Sequence, residues 1–374
     1  MRFIHTADWQ IGMKAAHVGK AGRKIREERL AGARRVIETA KNHEADFILL
    51  AGDTFEDNGV DRVLVQKTAD ILSEFGGPVY LIPGNHDPLV PGSVWEHPAW
   101  SDEDNLNVLR EQVVVEIPGG VLYPCPAYEK RSGKNPIAWI RDLERGGIKI
   151  GVAHGTVEGI HQDEPEYPIP REAVQCGLDY VALGHWHSTV TYPDPEGTTR
   201  MAYSGTHEPT RFGERDSGNI LLVTIPAEGA RPEVTPIKTG ALEWLTFEEE
   251  IRVAGDLVRI RERIETVREP SGTLVDIRIS GILDGSERRE LSRLDEILAS
   301  RFLFGRVDIS GLRPLPEDEG WVAGLPPGVV REAAVRLQAM SDPGFSGEET
   351  NGVGPEIASR ALMELYSFIQ EVQE

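Results

Sequence analysis

Only two of the 374 residues are cysteines, Cys125 and Cys176. That excludes a disulfide framework and a cysteine-rich metal site, and a reducing cytoplasm is the expected location. No apolar run approaches the roughly 18 residues that cross a bilayer, so no membrane association is expected. The opening Met1-Arg2-Phe3-Ile4-His5-Thr6-Ala7-Asp8 turns polar too soon for a signal peptide and reads as a first strand. The G-x-x-x-x-G-K-[ST] spacing of a nucleotide P-loop is missing. Basic residues are in deficit, with 40 Lys and Arg against 61 Asp and Glu, a net charge of −21. Such a chain repels a polyanion at long range, so a nucleic-acid ligand requires local contacts.

Apolar residues are not scarce. At 40% hydrophobic and 27% charged, the chain can bury a sizeable core. Its charge is unevenly placed. Lys14 to Arg35 holds eight basic residues and two acidic ones, whereas Glu317 to Glu374 holds eleven acidic residues against Arg331, Arg336 and Arg360. The basic run has two readings, a solvated helix face or a contact to phosphate.

The first two-thirds repeat one pattern, a short apolar strand running into a polar turn. Phe3-Ile4 leads to Asp8, Phe47 to Ala51 leads to Gly52-Asp53, and Val79 to Ile82 leads to Pro83-Gly84-Asn85-His86-Asp87. Ile148 to Ala153 leads to His154, and Tyr180 to Leu183 leads to Gly184-His185-Trp186-His187. Helical periodicity fills gaps such as Leu30 to Ala40 and Val63 to Phe75. Strands alternating with helices indicate an α/β sheet with helices packed on it, and ligands collect at the carboxyl ends of such strands. Further on, strands at 244–251, 274–279 and 302–309 alternate with helices at 257–267 and 286–300, a small α+β domain over 241–315. Helices at 329–340 and 356–372, split by a Gly/Pro-rich loop, make a helical tail over 316–374.

Asp8, Asp53, Asn85, His154, His185 and His187 thus come from five strand ends and supply carboxylate, amide and imidazole donors suited to divalent metals. One carboxylate between two ions can hold them about 3.5–4 Å apart, where they activate water and neutralise phosphoryl oxygens. Asp53 is the candidate bridge. His86 follows a ligand candidate directly, so its ring can aim at a leaving oxygen as general acid. Each piece alone also suits a helix cap or a turn. The ordered set D-x-Q, G-D-x-x-x-D, G-N-H-D, a strand-ending His and G-H-x-H points to a metal site.

Asp8, Gly52-Asp53, Gly84-Asn85-His86-Asp87, His154 and Gly184-His185-Trp186-His187 resemble the calcineurin-like metallophosphoesterase signature. Phe3 to Asp8, Asp46 to Asp53, Ala182 to His185, Tyr203-Ser204-Gly205-Thr206 and Arg211-Phe212-Gly213 are similar to DNA-repair nucleases of the SbcD type. The resemblance covers residues 1–225 in motif and the rest in layout only. It implies a calcineurin-like sandwich of two sheets flanked by helices over 1–240, then a capping domain and a partner-binding tail. One ion would be held by Asp8, Gln10, Asp53 and His187, and another by Asp53, Asn85, His154 and His185, with His86 catalytic. The ions implied are Mn²⁺, with Mg²⁺ as the alternative. The partners implied are DNA and an SbcC-type SMC-like ATPase, with a homodimer as a further option. The activity implied is that of a DNA nuclease in repair, exonuclease or endonuclease.

Two positions depart from that family, which usually has His where Gln10 stands and a second catalytic His where Glu56 stands. The rival functions are a phosphodiesterase or phosphatase of the same superfamily acting on small substrates, and a weakly catalytic DNA-end scaffold. For Trp9, Trp95, Trp100 and Trp186 core or lid packing is preferred to base stacking, and His207 reads as hydrogen-bonded structure. Tyr128, Lys130, Arg131 and Lys134 are a candidate contact to a DNA backbone. In the tail, Ile357, Ala358, Ala361, Leu362, Leu365, Phe368, Ile369 and Val372 form one apolar stripe, to be covered by the preceding helix or by a partner.

Overall fold

In the computed structural model the first strand, β1 (Arg2–Thr6), divides its side chains between two layers. Phe3 packs with Phe47, Leu49, Leu122, Ile150 and Tyr180, while Ile4 packs with Ile37, Ile48 and Leu72. Alternate residues of a strand face opposite sides, and here both sides are buried, so β1 lies inside a sandwich. The structure describes residues 1–141, 143, 146–159, 166–252, 255–283, 288–314, 320–342 and 354–373. It divides into two units, Met1–Trp244 and Leu245–Glu374.

In the first unit the elements after β1 are α1 (Gly22–Asn42), β2 (Phe47–Leu50), α2 (Arg62–Ser73), β3 (Val79–Leu81), α3 (Ala99–Asp102) and β4 (Leu106–Val108). Then follow β5 (Val115–Ile117), β6 (Gly120–Cys125), β7 (Ile148–His154), β8 (Tyr180–Gly184), β9 (Val190–Pro193), β10 (Thr199–Tyr203), β11 (Asn219–Thr224) and β12 (Glu233–Lys238). One sheet runs β12-β11-β1-β2-β3-β4 and the other β5-β6-β7-β8-β10-β9. The inner faces share one apolar cluster. Across that layer, Nδ1 of buried His5 on β1 meets the Tyr180 hydroxyl on β8 at 3.0 Å, and Nε2 donates to Leu183 O at 3.1 Å. Burial lowers the His5 pKa to about 3, so the ring is a neutral cross-tie. Helices α1 and α2 cover the outer face of the first sheet. Residues 137–140 and 169–178, including a one-turn 3-10 helix at Arg171–Gln175, cover the second. The fold is therefore mixed α/β with two multi-strand sheets flanked by helices.

β1, β2 and β3 are mutually parallel, as are β6, β7 and β8. Their carboxyl ends therefore emerge together in each sheet, and those ends carry the polar turns. The helix expected from Leu30 begins at Gly22, and buried Arg29 occupies an inward position of its amphipathic face. A guanidinium there hides the apolar period from a sequence count.

The second unit holds β13 (Glu243–Ile251, continuing from the first), α4 (Asp256–Glu265), β14 (Thr273–Leu283), α5 (Arg288–Arg301) and β15 (Phe304–Pro314). Its sheet runs β13-β14-β15, and Leu257, Ile260, Ile264, Leu294 and Leu298 of the two helices close over Val275 and Ile277. Next come α6 (Gly320–Gly324), α7 (Val329–Ser341) and α8 (Pro355–Gln373). Part of the α8 stripe closes a small core, Leu362, Leu365 and Ile369 packing with Val322, Leu325 and Ala334. Val329, Val330, Val335, Ile357 and Phe368 remain exposed. The 315/316 boundary, the start of the helix expected at 286, the Gly/Pro-rich loop at 343–353 and the side chain of Val372 lie outside the described residues. Among the described residues, no helix is long and apolar enough to cross a membrane.

Candidate metal centre

The turns that follow β1 and β2 interlock. Asp8 N donates to Gly52 O at 3.1 Å, and Gln10 N donates to Asp53 O at 3.0 Å. To do this, Asp8, Gln10 and Asp53 all adopt left-handed backbone, with φ of 53°, 46° and 51°, and His185 joins them at 106°. That conformation is disfavoured for side-chain-bearing residues, and its clustering at one place marks a functional site. Two glycines give the room. A Cβ on Gly52 would lie 2.3 Å from His154 Nδ1, and one on Gly84 would lie 2.2 Å from Asp53 Oδ1.

The carboxylates of Asp8 and Asp53 and the His154 imidazole converge, with one donor atom from each lying within 4.8 Å of the others. All three are buried. Asp53 Oδ1 accepts from His86 N at 2.9 Å and lies 3.3 Å from His154 Nε2. Its Oδ2 accepts from Gln10 Nε2 at 3.0 Å. Asn85 Oδ1 faces two imidazoles, 2.8 Å from His154 Nε2 and 3.0 Å from His185 Nδ1, while its Nδ2 donates to Glu166 Oε2 at 3.2 Å. His154 Nδ1 donates to Ala51 O at 2.9 Å. His187 is held from behind, its Nδ1 donating to Glu214 Oε1 at 2.8 Å. His86 stands at the edge, with Nδ1 donating to Glu56 O at 2.9 Å. All eight residues singled out by the motifs, Asp8, Gln10, Asp53, Asn85, His86, His154, His185 and His187, thus meet in one hydrogen-bonded cluster or line its cleft.

Crowding these groups away from water sets opposed protonation tendencies. Burial raises the pKa of Asp8 to about 6, and lowers that of His185 to about 3 with help from the His154 charge. Burial would likewise raise Asp53, but the charge and hydrogen bond of His154 outweigh it and hold Asp53 below the ordinary carboxylate range. For His154 burial favours the neutral ring, yet Asp53 lifts it to about 9. The two act as a buried ion pair. A bound divalent cation would take over the part that protons play here.

Do the residues fit such an ion? The buried Gln10 Oε1 has no hydrogen-bond partner, while Gln10 Nε2 is tied to Asp53. Orphaned buried acceptors are costly, and a cation relieves the cost. The donors are carboxylate, amide oxygen and imidazole with no thiolate, the set that suits hard and borderline divalent ions. The fit is good.

A cleft of 430 Å³ opens over the cluster, lined also by Met13, His17, Glu56, Trp186, Thr210 and Arg211. Trp186 therefore borders the site while its ring also packs against the second sheet's outer core. Trp9, Trp95 and Trp100 are buried packing. His207 is buried too, its Nε2 donating to Arg29 O at 2.8 Å.

Sequence reasoning missed three supports. Glu214, whose side chain is 4% exposed, braces His187. Glu166 orients Asn85. Arg29, 1% exposed, donates to Trp9 O at 2.9 Å, Asp8 O at 3.2 Å, Glu208 O at 2.7 Å and Thr206 Oγ1 at 3.0 Å. It is a brace beneath the Asp8 turn. Its neighbours in the basic run are also engaged internally, Arg35 with Glu208 and Lys24 with Glu28. Lys14, Lys20, Arg23, Lys24, Arg26 and Arg34 of the same run are exposed, so only its two inward arginines, Arg29 and Arg35, are taken up by the interior. Only the short Arg211-Phe212-Gly213 stretch preceding Glu214 could have signalled any of these supports.

Comparison with known proteins agrees with this picture. The chain is 29% identical over 202 residues to the uncharacterized metallophosphoesterase YhaO of Bacillus subtilis (strain 168). That match covers 50% of this chain and 48% of the relative, so the chain spans about half the length of the curated relative it matches. Similar solved structures include TT1561 of Thermus thermophilus, at 12% identity and TM-score 0.43, covering 64% of this chain and 98% of that one. Another is a 5′-nucleotidase precursor from the same organism, at 13% identity and TM-score 0.37, covering 64% of this chain and 54% of that one. The model of the calcineurin-like phosphoesterase family matches residues 1–189, half of the chain and the whole of the cluster from Asp8 to His187. The chain accordingly belongs to the calcineurin-like phosphoesterase family, whose members use divalent metals, and is a phosphoester hydrolase.

Proposed function

We propose that this hydrolase is a phosphodiesterase that cuts DNA, an SbcD-like repair nuclease acting as exonuclease or endonuclease with two divalent ions, Mn²⁺ in preference to Mg²⁺. The observation that carries the reading is the build of the cleft. Buried donors floor it, while His17 and Arg211 at its walls are exposed, so a long substrate can enter from solvent. Asp8, Gln10, Asp53 and His187 are the residues to hold one ion, and Asp53, Asn85, His154 and His185 the other. When bound, the ions supply an activated water and neutralise phosphoryl oxygens. The chain supplies position and protons. The Glu56 carbonyl holds His86 by Nδ1, which leaves Nε2 to give a proton to the departing alkoxide.

The second unit supports a division of labour, with residues 241–315 as capping domain and 316–374 as the segment that meets an SbcC-type ATPase. Its exposed Val329, Val330, Val335, Ile357 and Phe368 are apolar surface that a partner helix could cover. The test is purified protein with Mn²⁺ or Mg²⁺ and labelled single-stranded, blunt and hairpin DNA, beside bis(p-nitrophenyl) phosphate. The expected result is cleavage of both DNA and the small diester, slowed about 10²–10⁴-fold in His86→Ala with metal binding retained. Cleavage of the diester with every DNA left intact would overturn the nuclease reading.

A further inference from the structure

A second groove, 770 Å³ in volume, lies among residues 126–141 and Tyr167, with Tyr128, Lys134, Trp139 and Arg141 among its lining. We propose that it binds a stretch of single-stranded nucleic acid adjoining the scissile bond. The proposal rests on the DNA-cutting reading above and gives that reading a place for the substrate strand.

Charge is the first argument. Of the charged residues that line the groove, Lys134 and Arg141 are basic and Glu129 is acidic, in a chain whose net charge is −21. A net-positive groove in an acidic protein is a place where a phosphate backbone can settle. Rings are the second. Tyr128 is 44% exposed, and Trp139 is half-buried, its Nε1 donating to Cys125 Sγ at 3.3 Å. Anchored rings beside cations are what single strands use, because every base offers a face to stack on. A duplex keeps those faces stacked internally.

Placement is the third. Glu166 gives one carboxylate oxygen to Asn85 Nδ2 at 3.2 Å and the other to Arg131 Nε at 3.1 Å. Tyr167, the next residue, lines the groove. It is fixed to the 126–141 segment by its N donating to Ser132 O at 2.7 Å and its hydroxyl donating to Glu129 O at 2.6 Å. The groove thus begins one residue from a contact with the centre, on the Asn85 side.

The experiment measures binding by fluorescence anisotropy, in EDTA, of a short labelled single strand and of the same sequence as a duplex. The variants are Lys134→Glu/Arg141→Glu, Tyr128→Ala and, as a charge-matched control on α2, Arg62→Glu/Lys67→Glu. The double variant should weaken single-strand binding about tenfold or more and flatten its salt dependence by about 0.7 for each phosphate no longer neutralised. Tyr128→Ala should weaken binding by about tenfold with the salt dependence unchanged. The control should bind as the parent does. Parental affinity in both groove variants, absence of single-strand binding by the parent, or an equal loss for duplex would overturn the assignment. Hydrolysis of bis(p-nitrophenyl) phosphate with Mn²⁺ is followed in parallel. Its absence in the parent would fell the phosphodiesterase reading, while the anisotropy result would still decide the groove.

Discussion

Glu214 Oε1 lies 2.8 Å from His187 Nδ1, and the same carboxylate accepts from Thr210 N at 2.9 Å and Ser217 Oγ at 3.1 Å. A carboxylate so fixed locks the imidazole with its proton on Nδ1 and its Nε2 lone pair turned to the centre, as metal-bound histidines require. It also raises the His187 pKa against the opposing effect of burial. Replacing Glu214 with Ala should lower Mn²⁺ affinity about 10–100-fold while the fold persists. Titration calorimetry checks this, and an unchanged affinity would assign Glu214 to packing alone.

Gly84 is needed for lack of a side chain. A Cβ there would lie 2.2 Å from Asp53 Oδ1 and 2.3 Å from Asp53 N, so Gly84→Ala must push the carboxylate aside. Metal affinity should fall at least about tenfold. A ligand at a hundred times its dissociation constant adds about 2.7 kcal/mol of stability. Added Mn²⁺ should therefore raise the melting temperature of the parent and leave that of Gly84→Ala nearly where it was. Equal shifts would mean that the turn relaxes without moving Asp53.

Gln10 offers an amide oxygen where an imidazole would bind softer ions better. Its buried Oε1 has no partner in the protein. Gln10→His should shift metal preference from Mg²⁺ toward Co²⁺ and Zn²⁺, read as the ratio of affinities by competition calorimetry. A ratio equal to the parent's would place Gln10 outside the ligand set.

Arg29 should matter more to stability than its place in a basic run suggests. Burial lowers its pKa to about 10, while the charges of Glu208, Glu214, Glu56 and Asp8 pull the other way. Arg29→Met would leave the carbonyls of Asp8, Trp9 and Glu208 without their donor. The cost should be about 2–5 kcal/mol, measured by urea unfolding. A loss within about 0.5 kcal/mol, the range of ordinary surface changes, would contradict the brace.

Much of the fold was legible because its signals are local. The apolar runs that became β2, β3, β7 and β8 each end in a polar turn, and the strand–helix alternation of the second unit follows the chain closely. The helix at Leu30 was legible only from its apolar half, since Arg29 looks like a solvent-facing residue until its partners 20 to 180 positions away are known. The same limit applied to His207, whose contact is with the backbone of Arg29 across 178 positions.

By itself, then, the sequence determined the donor chemistry and the strand ends from which it projects, because residue type and strand periodicity are properties of short segments. Only the tertiary structure decided how strands sort into two sheets, which brings Asp8 and Asp53 from one face to face with His154 and His185 from the other. It alone decided that Glu214 stands behind His187, that Gln10 ties its amide nitrogen to Asp53, and that Arg29 is buried. Those relations join residues far apart in the chain, and no periodicity reports them. They are set by which buried polar groups can find a partner once the two sheets close over a common core.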